Sequence, residues 1–301
     1  MSFPWKKLAD FGTKRLLDGG DVASSSQGQD QWFVDADADV TGDGRSWDHP
    51  FITIQEALEK AGDFDIIYLG EATMKAATGE TFPLQITQEG LRIYGVNPSM
   101  NQNKSLIYNS ASAVVVFEIL ANNVEIRNVS ITQGAAADII QLGSATVAAV
   151  YKFYMSDVRL DGYGTGVMGV ASHTATVDAP DLYIENCLFR GMTGHAIEAN
   201  WTRAMINDCV IYTVAAKAGI EHLPTTTSRP ASIYARNRII GVNSTDTGIL
   251  ISNTPGAGLL TAYDNYIFNC ATTITQKAEN TCVQMNYASD GAGGAIIDPI
   301  A

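Results

Sequence analysis

The sequence is poor in charge. Asp, Glu, Lys and Arg make up 17% of its 301 residues, against about 25% in an average soluble domain. With 46% hydrophobic residues, this composition excludes a disordered chain, which needs the opposite balance. There is no apolar run of about 18 residues, so no membrane insertion is expected. The four cysteines are too few for a disulfide-built scaffold. No His-x-x-x-His or Cys-x-x-Cys metal spacing occurs. Neither Gly-x-Ser-x-Gly nor a phosphate-loop pattern is present. Positive charge is also short, with a net charge of −13. A surface that tracks phosphates needs the opposite sign, so no nucleic-acid partner is expected.

The charge is unevenly placed. Residues 1–20 carry a net +2 and the remainder −15. This basic head holds no apolar stretch of 7–15 residues before a small-residue cleavage site, so no cleavable secretory signal is expected. Phe3, Trp5, Leu8 and Phe11, interleaved with Lys6, Lys7, Lys14 and Arg15, are too many large groups for a solvated tail. Residues 1–20 are expected to be an anchor that docks on another protein; an arm folded on its own domain is the alternative. Residues 21–31 read as a flexible linker.

What is abundant is repetition. Short alternating segments carry Asn128, Asp157, Asn186, Asp208, Asn237 and Asn265 at spacings of 29, 29, 22, 29 and 28 residues. Each Asn or Asp separates two short strands, and both residue types tolerate the left-handed backbone of a sharp turn. A second register, Ile139, Val167, Ile197, Ile220, Ile249 and Ile274, keeps step. Three short strands per ~22–29 residues is the pattern of a parallel β-solenoid. The prediction is all-β: a right-handed parallel β-helix of about eight coils over residues 64–280. Residues 281–301 are expected to form a C-terminal cap or tail. Over residues 32–63, an acidic loop precedes the capping box Thr53-Ile54-Gln55-Glu56, which opens a short amphipathic helix over the first coil.

The entry segment has a further character. Val34-Asp35, Thr41-Gly42-Asp43-Gly44, Trp47 and Pro50-Phe51-Ile52-Thr53-Ile54-Gln55-Glu56-Ala57-Leu58 resemble the opening of pectate-lyase-like right-handed β-helix proteins. Asp63–Leu69 matches the strand that follows in that family. The resemblance covers most of residues 32–280 and implies the fold. It leaves function open between secreted polysaccharide lyases or hydrolases and phage tailspikes or other virion parts. Lyases of the family carry a calcium-binding acid cluster with a basic residue, and no such cluster matches stacked positions here.

Several residues are candidates for chemistry. Asp35, Asp37, Asp39 and Asp43 have the alternation of a calcium loop; a solvated acidic loop is the other reading. Glu198 and Glu221 share one register of successive coils, where strands lie roughly 4.8 Å apart. Stacked there, they suit the acid and nucleophile of a retaining glycosidase, with Trp201 and Arg203 near in sequence. His195 and His222 alternate inward with Ile197 and Ile220 and read as buried neutral histidines. Cys187 and Cys209 stack in the core as buried thiols, at a separation that also permits a disulfide. Leu188, Val210, Ile239 and Ile267 form an apolar file read as outward, a subunit contact for a homotrimer. A register slip of one residue would instead turn this file inward, as Arg238 at a nominally inward position suggests.

These features favour a virion spike, fibre or decoration subunit on the virion exterior. Residues 1–25 would dock on a capsid, portal or tail protein, and the body would bind a host-surface polysaccharide. No cofactor is required by that reading, calcium being the one candidate. The alternative is a polysaccharide lyase or glycoside hydrolase using Glu198 and Glu221, exported without a cleavable signal or mounted on a virion.

Overall fold

The computed structural model describes residues 29–96, 105–110, 112–147, 150–173, 179–199, 201–214, 216–222, 232–242, 245–251, 260–275, 281–289 and 295–297. The docking segment, with Phe3, Trp5, Lys6, Lys7, Leu8, Phe11, Lys14 and Arg15, lies outside these residues.

Three sheets wind around one core. Among the described residues, sheet A has ten strands, from Gln31–Val34 to Thr281–Gln284. Sheet B also has ten, beginning at Thr73–Lys75, and sheet C has eight, from Leu84–Ile86 to Thr272–Thr275. The chain visits A, B and C in turn, and every successive pair within a sheet is parallel except the last pair of sheet B. This is the expected right-handed parallel β-helix, with eight complete coils. The stack runs past residue 280. Thr281–Gln284 and Asn286–Ser289 extend sheets A and B, and Ala295–Ile297 folds back antiparallel on the second of these. That reversal covers an edge that would otherwise offer free backbone groups.

At the other end, helix α1 (Ile54–Lys60) buries Ile54, Ala57 and Leu58. Its capping box is formed: Glu56 N–H donates to Thr53 Oγ1 and Thr53 N–H to Glu56 Oε2, both at 3.1 Å. Glu80 accepts the next two free N–H groups, from Ile54 at 2.7 Å and Gln55 at 3.0 Å. These donors have no partner inside a helix.

Single residues turn the chain from sheet A into sheet B. Asn128, Asp157, Asn186 and Asp208 have φ between 51° and 57°, as their type allows. In the next coils the turn falls one residue earlier than the repeat suggests. Arg236 and Asp264 hold the positive φ, at 55° and 54°. The Arg236 guanidinium meets both oxygens of Asp208, at 2.8 and 2.6 Å, which offsets part of the cost of a left-handed arginine. Asn237 and Asn265 therefore move inside, and the apolar file shifts with them. Ile239 pairs with Ile211 and Ile267 with Ile239, all three buried. This corrects the outward assignment of Ile239 and Ile267. Leu188 and Val210 do face outward, half-buried, but they continue into Arg238 and Tyr266. No continuous aliphatic stripe results. The second register is corrected too: Ile140 and Val170, rather than Ile139 and Val167, align with Ile197, Ile220, Ile249 and Ile274.

The core changes character along the axis. Val129, Val158, Cys187 and Cys209 occupy the first inward position after the turn in four coils, and all are buried. Both thiols are free, and burial pushes the Cys187 thiol up. Asn237, Asn265 and Asn286 take over that position in the last coils. They form a ladder: Asn237 Nδ2 donates to Asn265 Oδ1 at 3.0 Å, and Asn265 Nδ2 to Asn286 Oδ1 at 2.8 Å. Each amide also donates to a backbone carbonyl, of Ile206, Tyr234 and Ala262 respectively. Nearby, buried His222 and Tyr234 bond to each other at 2.6 Å, and burial lowers His222 to about 4.

Replacing one ladder rung strands its neighbours' polar groups. Asn265→Ala is expected to cost about 2–4 kcal/mol, since each orphaned buried group costs ~1–3 kcal/mol. Urea unfolding of the variant against wild type measures it.

Candidate functional site

The outer face of sheet C carries one file of side chains in strict register: Gln85, Glu118, Gln141, Ala171, Glu198, Glu221 and Leu250. Three of its members are acids. Glu118 is held by amides on both sides, from Gln85 at 2.7 Å and Gln141 at 3.3 Å. Glu198 (in Ile197–Ala199) and Glu221 (in Ala218–His222) stack directly on each other as the repeat predicts.

His195 joins them. It precedes its strand, and Ala196 and Ile197 both turn into the core behind it. Its ring therefore lies on the outer face with the two acids, which corrects the inward assignment. Close packing helps bring these coils together. A Cβ on Gly169 would stand 2.5 Å from the Ala196 carbonyl oxygen. His195 Nε2 lies 3.0 Å from Glu221 Oε2 and 3.9 Å from Glu198 Oε2. One ligand-type atom from each of the three residues falls within 4.8 Å of the others.

The proton positions follow from one bond. Ala218 N–H donates to His195 Nδ1 at 2.9 Å, so Nδ1 carries a lone pair. A neutral imidazole then has its hydrogen on Nε2, pointed at Glu221. Burial lowers His195 and keeps it neutral. Glu198 is pushed up to about 7, first by burial, then by the Glu221 charge and a hydrogen bond to it, with Asp138 adding to the effect and Lys217 opposing it. Asp138 is itself raised by burial and accepts from Met168 N–H at 3.1 Å. Glu198 therefore holds its proton up to about neutrality, and Glu221 receives the Nε2–H of His195.

A metal ligated by Nε2 would need the imidazole hydrogen on Nδ1 instead, where the Ala218 amide already points. The donor set suits proton transfer better than ligation. The sequence leaves the entry-loop aspartates Asp35, Asp37, Asp39 and Asp43 open between a calcium loop and a solvated acidic loop. Among the described residues, the group that converges is His195, Glu198 and Glu221. Asp35 and Asp43 instead close local turns, accepting from the amides of Asp37 and Arg45 at 3.0 Å each. Arg203 stands on sheet A, bound to both oxygens of Asp181 at 2.8 Å. Sequence reasoning missed His195, Asp138 and Lys217. The i, i+3 spacing of His195 and Glu198 is the signal that could have found the first.

One comparison decides the family: the description "Protein of unknown function (DUF1565)" matches residues 36–292. The chain belongs to the DUF1565 family. No curated protein matches it. This DUF1565 chain is similar in fold to solved pectin methylesterases. PemA from Erwinia chrysanthemi is 12% identical, with 90% of this chain and 92% of that one covered and a TM-score of 0.55. The rice weevil enzyme is 14% identical, with coverages of 95% and 96% and a TM-score of 0.53. A pectin methylesterase in complex with hexasaccharide VII gives 12%, 90%, 92% and 0.54. The DUF1565 β-helix is thus a fold shared with polysaccharide-active enzymes.

The raised Glu198 has a consequence for stability. An acid whose folded value exceeds its unfolded one stabilises while protonated, and loses that contribution as pH rises through the interval between them. Here the interval is from the ordinary glutamate value of 4.5 to about 7. Glu198→Gln is therefore expected to match wild type near pH 4 and exceed it at pH 8 by on the order of 1–2 kcal/mol, after solvent screening. Denaturant unfolding at the two pH values checks this.

Proposed function

We infer that the protein hydrolyses glycosidic bonds of a polysaccharide lying along the outer face of sheet C. The observation that carries this reading is the pair of stacked carboxyls, Glu198 and Glu221, with His195 Nε2 3.0 Å from the second. Glu198, protonated near neutrality, donates to the leaving-group oxygen as the glycosidic bond breaks. Glu221 attacks the anomeric carbon from the other side. The His195 Nε2–H orients its carboxylate. Water then hydrolyses the glycosyl-enzyme, with Glu198 taking back a proton and Glu221 released. Glu198 and Glu221 stand on neighbouring strands, which lie roughly 4.8 Å apart; their mutual hydrogen bond opens as the sugar enters, which brings the carboxyls toward the about 5–5.5 Å of retaining enzymes. Solved proteins of similar fold include one in complex with a hexasaccharide, which agrees with the substrate class.

This reading takes the alternative drawn from the sequence over the virion subunit. The virion placement rests on residues 1–25, outside the described residues, and the similar structures lend it no support.

Two measurements test the assignment. Reducing-end release from a polysaccharide panel is expected to fall by about 10³-fold or more in Glu198→Gln and in Glu221→Gln, the scale seen when a nucleophile or general acid is removed. Unchanged release in both variants sinks the roles. Alternatively, alcohol or acid released without reducing ends identifies ester cleavage and rejects glycosidic cleavage. In wild type, kcat/KM is expected to decline as pH rises above about 7, where Glu198 loses its proton. A profile flat from pH 6 to 9 contradicts the acid role.

A further inference from the structure

A second polar hollow lies on the outer face of sheet A, away from the acids of sheet C. Two neighbouring files build it. One runs Glu125, Tyr154, Tyr183, Met205, and the other Arg127, Ser156, Glu185, Asn207. In the first, the Tyr154 and Tyr183 rings stack at 4.7 Å with 7° between their planes. This makes a flat, rigid apolar wall, which Met205 extends. In the second, Ser156 is short where its neighbours are long. The gap above it is a cavity of about 260 Å³, below the ~300–1,000 Å³ of pockets for drug-sized ligands. It suits a single ring.

The lining specifies what that ring must carry. Asn207 Oδ1 is buried and has no hydrogen-bond partner. A buried acceptor left bare costs about 1–3 kcal/mol, and such an orphan in a native fold calls for an explanation. Glu185 is a second, exposed acceptor on the same rim. Arg127 supplies donors; its guanidinium meets Glu125, which also accepts from Tyr94 Oη at 2.9 Å. The ligand therefore presents hydroxyls to Asn207 and Glu185, an oxygen to Arg127, and a C–H face to the tyrosine wall. Arg127 is offset by Glu125 and Glu185, and the whole chain carries −13, so phosphates and uronates are disfavoured. A purely apolar ligand would leave Asn207 unsatisfied.

We propose that this hollow on sheet A binds one ring of a neutral, hydroxyl-rich glycan, as a non-catalytic site separate from the acids of sheet C. The site does not depend on the hydrolytic reading, because none of its residues belongs to sheet C. It would hold a polysaccharide on a second face of the solenoid.

The experiment is an array of neutral-hexose and uronic-acid oligosaccharides, probed with the full chain and three variants. Wild type is expected to retain at least one neutral oligosaccharide more strongly than its uronic counterpart. Tyr183→Ala and Asn207→Leu should each weaken that binding tenfold or more. Glu198→Gln/Glu221→Gln should keep it within twofold. Thermal melting separates binding from folding: removing an orphaned acceptor leaves the melting temperature of Asn207→Leu unchanged or higher. Retention of no neutral glycan overturns the proposal. So does preference for the uronic counterpart, binding that survives Asn207→Leu, or binding lost in the Glu198/Glu221 double variant. The last outcome would place the glycan on sheet C and leave the hydrolytic reading intact.

Discussion

Parallel in-register stacking governs this protein. Each strand lies roughly 4.8 Å from the next, so each side chain sits directly above its counterpart in the neighbouring coil. Whatever the sequence places at one register is repeated along the axis. Apolar positions become continuous internal files, such as Ile67, Ile93, Ile126, Met155, Ile184 and Ile206. Tyrosines become stacked rings, at Tyr154–Tyr183 and Tyr266–Tyr287. Carboxylates become pairs. The same rule that lets isoleucine stack on isoleucine forces glutamate onto glutamate, and burial first, then that contact, pushes Glu198 up.

The stack also explains how the core can change chemistry midway. A coil contacts mainly its two neighbours, so the interior need not be uniform. At the first inward position after the turn, the earlier coils carry Val129, Val158, Cys187 and Cys209. The last are tied by Asn237, Asn265 and Asn286, which satisfy one another and the carbonyls of the strand before. A lone buried asparagine would be costly, but in a ladder each amide finds its partner in the neighbouring coil. The ladder lies beyond the acids of sheet C, in the part of the solenoid where the residue that turns the chain is no longer Asn or Asp in every coil.

Two outer faces carry polar hollows or clusters of different kinds. On sheet C, acids compete for protons at short range, and one histidine, fixed by a backbone amide, determines which acid receives its hydrogen bond. On sheet A, an aromatic wall and an unsatisfied amide oxygen flank a short serine. The first depends on a feature of the coil, the two consecutive inward residues that open sheet C strands, here Ala196 and Ile197 behind His195 and earlier Val116–Phe117 and Ile139–Ile140; the second depends on a serine between longer neighbours.

Much of this was written in the chain. Six Asn or Asp residues at intervals of 22–29, with alternating apolar neighbours, are sufficient to specify strands and coils, because stacking converts sequence period into spatial repetition. For the same reason the Glu198–Glu221 pair, the Cys187–Cys209 stack and the capping box at Thr53 were legible. A period of about 22–29 residues does not fix register to a single residue, however. Where the turn moved from Asn237 to Arg236, strand alternation carried Ile239 and Ile267 inside. Where two consecutive residues faced the core, His195 emerged outside. Sequence determined the fold, the coil to which each segment belongs and, where the repeat held, which residues stack, as at Glu198 and Glu221. Tertiary structure alone decided which side of the wall each file faces and where the protons rest, because a one-residue shift inverts a strand and a proton's place depends on burial and on the nearest amide.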